Sequence, residues 1–155
     1  METKPGSNLS QVEEASRQED GTTTPCRNDT QHRRVLIADD EPDILKLIGR
    51  ALETVGFAVS LAGDGQQAYD LFVSDAYDLV VTDLRMPVMD GFELINRIKA
   101  LSPGTPVVII SGGFMEDLTP IGGPAAVAAI VRKPFQMGEF YKTVLQATCN
   151  MAQEP

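Results

Sequence analysis

The sequence predicts an α/β fold, a parallel sheet of five strands with helices on both faces. Three observations carry that expectation. Short, unbroken apolar runs recur along the chain, the pattern of strands covered on both sides. Stretches with apolar residues at helical spacing lie between them. The two kinds alternate, which implies right-handed crossovers between parallel strands.

The elements follow in order. Residues 1–33 are rich in Ser, Thr, Gln, Glu, Asp and Asn and poor in large apolar side chains, so they read as a disordered polar tail. Val35-Leu36-Ile37-Ala38 is the first strand, ending abruptly in Asp39-Asp40-Glu41. Pro42 suits a first helical turn, Ile44, Leu45, Ile48, Ala51, Leu52 and Val55 keep helical spacing, and Gly56 is a natural stop. Phe57, Val59 and Leu61 alternate as a second strand. Asp64 can cap a helix whose inner face is Ala68, Leu71 and Phe72. Leu79-Val80-Val81 leads to Asp83, and Pro87 ends regular pairing. Asp90 caps a third helix with Leu94, Ile95, Ile98 and Leu101 on one face. Val107-Val108-Ile109-Ile110 is the fourth strand. Residues 114–128 contain Pro120, Gly122-Gly123 and Pro124, each costly inside a helix, and predict a short or irregular helix. Ala129-Ile130-Val131-Arg132 is the fifth strand, and Met137, Phe140, Tyr141, Val144 and Leu145 face inward from a last helix. One domain over residues 34–148, with 149–155 as a C-terminal tail, accounts for the chain.

Composition narrows the function. Residues 34–155 carry 16 acidic and 9 basic side chains of a chain whose net charge is −9, which argues against direct nucleic-acid binding. No apolar run reaches the roughly 20 residues of a membrane span, and the N-terminus shows no secretory signal, so the expected location is cytoplasmic. Cys26 and Cys149 read as two free thiols, and His32, with no second ligand nearby in sequence, as an exposed side chain.

Chemistry gathers at the strand ends. The first strand offers Asp39 and Asp40, the third Asp83, the fourth Ser111 and the fifth Lys133. In a parallel sheet these ends share one edge, and adjacent strands lie about 4.8 Å apart, so the five side chains can converge. Three carboxylates in a small cleft repel one another unless a cation offsets their charge. Mg²⁺ does so with one or two carboxylates, a carbonyl and waters, and it commonly shares its shell with phosphate oxygens. Phosphoryl transfer is therefore the reaction type the cluster suits. Taken singly, each residue has a plainer reading: Asp39 and Asp40 as caps of the first helix, Asp83 and Ser111 as turn residues, Lys133 as a solvated lysine.

From Arg34 to about Ala147 the chain resembles the receiver domain of two-component response regulators. The motifs that carry the resemblance are Asp39-Asp40, the D-L-R-M-P run from Asp83 with Asp90-Gly91 after it, Ser111, and Lys133-Pro134-Phe135, all in order. The resemblance implies a flavodoxin-like three-layer sandwich with strand order 2-1-3-4-5. It implies that Asp83 is the phosphoacceptor, taking a phosphoryl group from a sensor histidine kinase or a histidine phosphotransfer protein. Asp39, Asp40, Asp83 and the backbone carbonyl of Arg85 would hold Mg²⁺. Lys133 and Ser111 would bind the phosphoryl group, with a Lys133–Pro134 bond that is often cis. It also implies a stand-alone phosphoprotein that signals by binding a downstream protein or relays phosphoryl groups onward, with no separate turnover substrate.

Ile130 departs from the pattern, since many receivers place an aromatic residue three positions before the lysine. Output is therefore expected to rely on an altered surface around residues 113–130 or on the first helix. Arg85 and Gly113 hold positions that tune dephosphorylation in the family. Two rival functions remain beside this reading. An aspartyl-phosphate hydrolase usually needs a second acid two residues past the nucleophile, where Arg85 stands. A receiver-like adaptor that never needs phosphate would be expected to lack one of the acidic or lysine positions, and all are present.

Overall fold

The computed structural model describes residues 33–112 and 118–153. Residues 1–32 of the polar tail, with Cys26 and His32, Gly113, residues 114–117 and the side chain of Cys149 fall outside the described residues.

Five strands form one parallel sheet: β1 (Arg34–Ala38), β2 (Ala58–Ala62), β3 (Leu79–Asp83), β4 (Val107–Ser111) and β5 (Ala129–Arg132). Their order across the sheet is β2-β1-β3-β4-β5, the flavodoxin-like order expected. Four helices accompany them: α1 (Pro42–Thr54), α2 (Gly65–Ser74), α3 (Gly91–Leu101) and α4 (Met137–Gln153).

The unbroken apolar runs have a direct structural cause. Alternate residues of a strand point to opposite faces, and here both faces are covered. Val35 and Ile37 of β1, with Leu79 and Val81 of β3 and Val108 and Ile110 of β4, form one core with Ile48 and Leu52 of α1 and Phe140 and Val144 of α4. Leu36, Ala38, Val80, Val107 and Ile109 point the other way, onto Ala68 and Phe72 of α2 and Leu94, Ile95 and Ile98 of α3. Phe140 is fully buried, and a side chain of that size contributes roughly 2–3 kcal/mol by leaving water.

The local signals act as expected at the helix starts. Pro42 opens α1. The Asp64 carboxylate accepts from the Gln67 amide at 2.7 Å to cap α2, and the Asp90 carboxylate accepts from the Glu93 amide at 2.9 Å to cap α3. Each satisfies an amide that has no partner inside the helix.

Three details differ from the sequence pattern. Leu61, read as one of the alternating strand residues, is exposed, because β2 is an edge strand. Leu101, assigned to the inner face of α3, is also exposed, in the last turn of its helix. α4 continues past residue 148 to Gln153, because no Gly or Pro interrupts that stretch. The described part of the segment ahead of β5, expected as a short or irregular helix, forms two short 3₁₀ turns, Thr119–Ile121 and Pro124–Ala126. Gly122 and Gly123 between them have φ of 100° and 90°, values that end any helical run.

Candidate functional site

Strand register brings the candidate residues to one edge. Ala38 pairs with Ala62 on one side and Thr82 on the other, so Asp39 lies one step beyond both pairs. Asp83 closes β3 opposite Ile110, and Ser111 follows Ile110. Ser111 pairs in turn with Arg132, and the amide of Lys133 donates to the Ser111 carbonyl at 2.7 Å. The Lys133–Pro134 peptide bond is cis.

The Lys133 ammonium sits among carboxylates. Its Nζ is 2.9 Å from Asp39 Oδ2, 2.9 Å from Glu41 Oε1 and 3.1 Å from Asp83 Oδ2. Burial alone would lower the lysine pKa, but the adjacent Asp39, Glu41 and Asp83 carboxylates outweigh it and hold the pKa above the ordinary value. The ammonium is therefore charged at any physiological pH.

The two oxygens of Asp83 have different surroundings. Oδ1 accepts from the amides of Leu84, at 2.7 Å, and Arg85, at 3.3 Å. Oδ2 faces Lys133. Asp39 is fully buried. Its Oδ1 accepts from the Glu41 amide at 2.9 Å. Its Oδ2 has the ion pair with Lys133 but no well-directed hydrogen bond. Burial pushes the Asp39 carboxyl above the usual range, with Lys133 and the Glu41 amide pulling back and the neighbouring Asp83 charge adding to the rise.

This donor set fits a hard divalent cation. Oxygen atoms of Asp39, Asp40 and Asp83 lie within 4.8 Å of one another. One of the buried oxygens, Asp39 Oδ2, is left without a hydrogen bond. Asp40 is exposed, which keeps one side of the cluster open to waters or a phosphoryl group.

The β3–α3 loop frames that open side. An open cleft beside Asp40 is lined by Arg85, Pro87, Asp90 and Phe92, among others. The loop turns tightly: the Met89 amide donates to the Pro87 carbonyl at 2.8 Å across Val88, whose φ is 71°. Its far end returns to the strand, where the Gly91 amide donates to the Leu84 carbonyl at 2.9 Å. A Cβ on Gly91 would run into the Asp83 carbonyl oxygen, so only glycine lets α3 start this close to the site.

The structure thus joins Asp39, Asp83 and Lys133 by contact, sets an Asp40 oxygen within 4.8 Å of the other two carboxylates, and places Ser111, buried, at the same edge by register. Arg85 contributes its amide to Asp83 and a side of the cleft. Ile130 lies away from the cluster, nearly half exposed on β5. The sequence reading gave no role to Glu41. The available signal was its place as the third acid of a run that ends the first strand.

Residues 35–145 match the response regulator receiver domain, and the chain belongs to that family. Among its relatives is the response regulator receiver protein CpdR of Brucella abortus, 30% identical over 72% of this chain and 93% of that protein. The transcriptional regulatory protein GlrR of Escherichia coli is 32% identical over 71% of this chain, but the match spans only 25% of GlrR. Among solved structures, the response regulator TrrA of Thermotoga maritima, determined in complex with Mg²⁺ and BeF, superposes with a TM-score of 0.67 at 28% identity, over 74% of this chain and 98% of TrrA. The chain is thus a two-component signalling module of the receiver type. No helix among the described residues is long and apolar enough to cross a membrane.

Proposed function

We infer that this receiver accepts a phosphoryl group on Asp83 from the phosphohistidine of a kinase or phosphotransfer protein. The observation that carries the reading is the split environment of the Asp83 carboxylate. Two backbone amides fix Oδ1, while Oδ2 faces the ammonium and the open edge. Oδ2 is the nucleophile. It attacks phosphorus, the P–N bond to the histidine breaks with its electron pair returning to the imidazole, and an acyl phosphate forms. Lys133 lies where it can neutralise charge on the incoming phosphoryl oxygens, and Ser111 supplies a hydroxyl at the same edge. Asp39, Asp40, Asp83 and the Arg85 carbonyl are the residues that would hold Mg²⁺, whose charge when bound offsets that of the phosphoryl oxygens.

The modified protein then acts by binding. Phosphorylation shifts its partner affinity only as far as a partner distinguishes the two states. The altered surface around the 3₁₀ turns and Ile130 is where such a difference would be read. Its place is the cytoplasm, and its protein has no further substrate to turn over.

Incubation with Mg²⁺ and acetyl phosphate, followed by intact-mass measurement, tests the reaction. One added phosphoryl group, lost when the metal is chelated, is expected. An unmodified protein that also fails to bind beryllofluoride would favour a phosphate-independent adaptor.

A further inference from the structure

Lys133 has three N–H donors and three carboxylate neighbours. Two of those neighbours belong to the metal and acceptor set. The third, Glu41, does not, and it differs from them physically. Its side chain is 60% exposed, against 0% for Asp39 and 9% for Asp83. It stands at the cap position of α1 but caps nothing there. Its backbone is nonetheless fixed, because the Glu41 amide donates to Asp39 Oδ1 at 2.9 Å. The residue is therefore anchored to the site at its main chain and reaches back to Lys133 with its carboxylate, at 2.9 Å.

We propose that Glu41 is a positioning residue that holds the Lys133 ammonium in the resting state and competes with the phosphoryl group for it. The proposal rests on the reading of Asp83 as phosphoacceptor. When Asp83 Oδ2 becomes the bridging oxygen of the acyl phosphate it loses its negative charge, and the phosphoryl oxygens beyond it need the ammonium. Asp39 is enclosed and tied to the Glu41 amide. Glu41 faces solvent and is the partner the ammonium can exchange for phosphoryl oxygens. Such an exposed ion pair is weak and salt-sensitive, which suits a group that must be given up on activation.

The test is beryllofluoride binding in the presence of Mg²⁺, followed by fluorine NMR, for the full chain and two variants. Glu41→Gln keeps the shape and removes the charge. Glu41→Asp keeps the charge and withdraws it from Nζ by one methylene. Both variants should bind beryllofluoride about threefold to fivefold more tightly than wild type at low salt, with the gain fading at high salt. Without beryllofluoride the thermal midpoint of Glu41→Gln should fall by no more than a few degrees, because the same weak pair steadies the resting state; a purely structural role would lower stability and weaken beryllofluoride binding together. Equal affinity in wild type and Glu41→Gln would overturn the proposal while leaving Asp83 as the acceptor. A change in Glu41→Gln that Glu41→Asp does not share would also overturn it, because general charge and not the bond to Lys133 would then be responsible. A wild type that binds no beryllofluoride would remove the reading of Asp83 itself.

Discussion

Asp39 shows what one residue gives up for the site. A fully buried carboxylate with one oxygen lacking a hydrogen bond is a poor contribution to folding. Asp39→Asn should therefore stabilise the fold, by about 1 kcal/mol in urea or thermal unfolding, while weakening Mg²⁺ binding. Lys133 keeps Glu41 and Asp83 as partners in that variant, so no buried ammonium is left alone. The pH dependence has a definite sign. The folded-state pKa of Asp39 is raised, so the folded protein holds that proton more tightly than the unfolded chain does. Its contribution to stability is fully present below the ordinary value of 3.8 and is lost as pH rises through the raised pKa. The Asp39→Asn variant should lack this component when unfolding is followed across the acid range; an unchanged profile would contradict it. That Asp39, Asp40, Asp83, Ser111 and Lys133 meet at one edge was legible in the sequence, because each stands at or just past the end of an apolar strand and parallel strands end on one edge. Glu41 was not, because its role depends on where a long side chain turns at the surface, which no periodicity encodes.

At the scale of elements, the β3–α3 loop concentrates the constraints. Val88 holds a φ of 71°, is β-branched and is largely exposed. Left-handed backbone is costly for such a residue, and no packing compensates it. Val88→Gly should raise stability by about 1 kcal/mol, read as a higher denaturation midpoint; a loss of stability would show that the valine side chain holds the loop. Gly65, which opens α2, is the opposite case. A Cβ there would collide with the Met89 carbonyl oxygen of this same loop, a backbone atom that cannot turn aside. Gly65→Ala should cost about 2 kcal/mol or more and loosen the loop beside Asp83, visible as faster amide exchange at Met89 and Gly91. The caps at Asp64 and Asp90 could be read from sequence, because they use contacts only three residues apart. The approach of α2 to the β3–α3 loop could not, because Gly65 and Met89 meet only once the sheet is assembled. The broken segment ahead of β5 was legible as broken: its Pro and Gly residues exclude a long helix, and two 3₁₀ turns take its place.

The whole molecule is a sheet whose centre is apolar on both faces and whose carboxyl edge is charged. Apolar runs and helical spacings specify strands, helices and their alternation, and hence a parallel sheet. They do not specify that β1 lies between β2 and β3, because Val35–Ala38 would satisfy any central position equally well. That order came from the family resemblance and is the order observed. Edge exposure followed from it: Leu61 on β2 and Ile130 on β5 lie on the two strands with a neighbour on one side only. The central claim concerns which carboxylate of the charged edge does the chemistry, since Asp39, Asp40 and Asp83 lie within one small cluster. Borohydride reduction of the protein after exposure to Mg²⁺ and acetyl phosphate converts an aspartyl phosphate to homoserine, which peptide mass spectrometry can locate. The account predicts homoserine at position 83 alone, and none in an Asp83→Asn variant; homoserine at 39 or 40 in the wild type would contradict it.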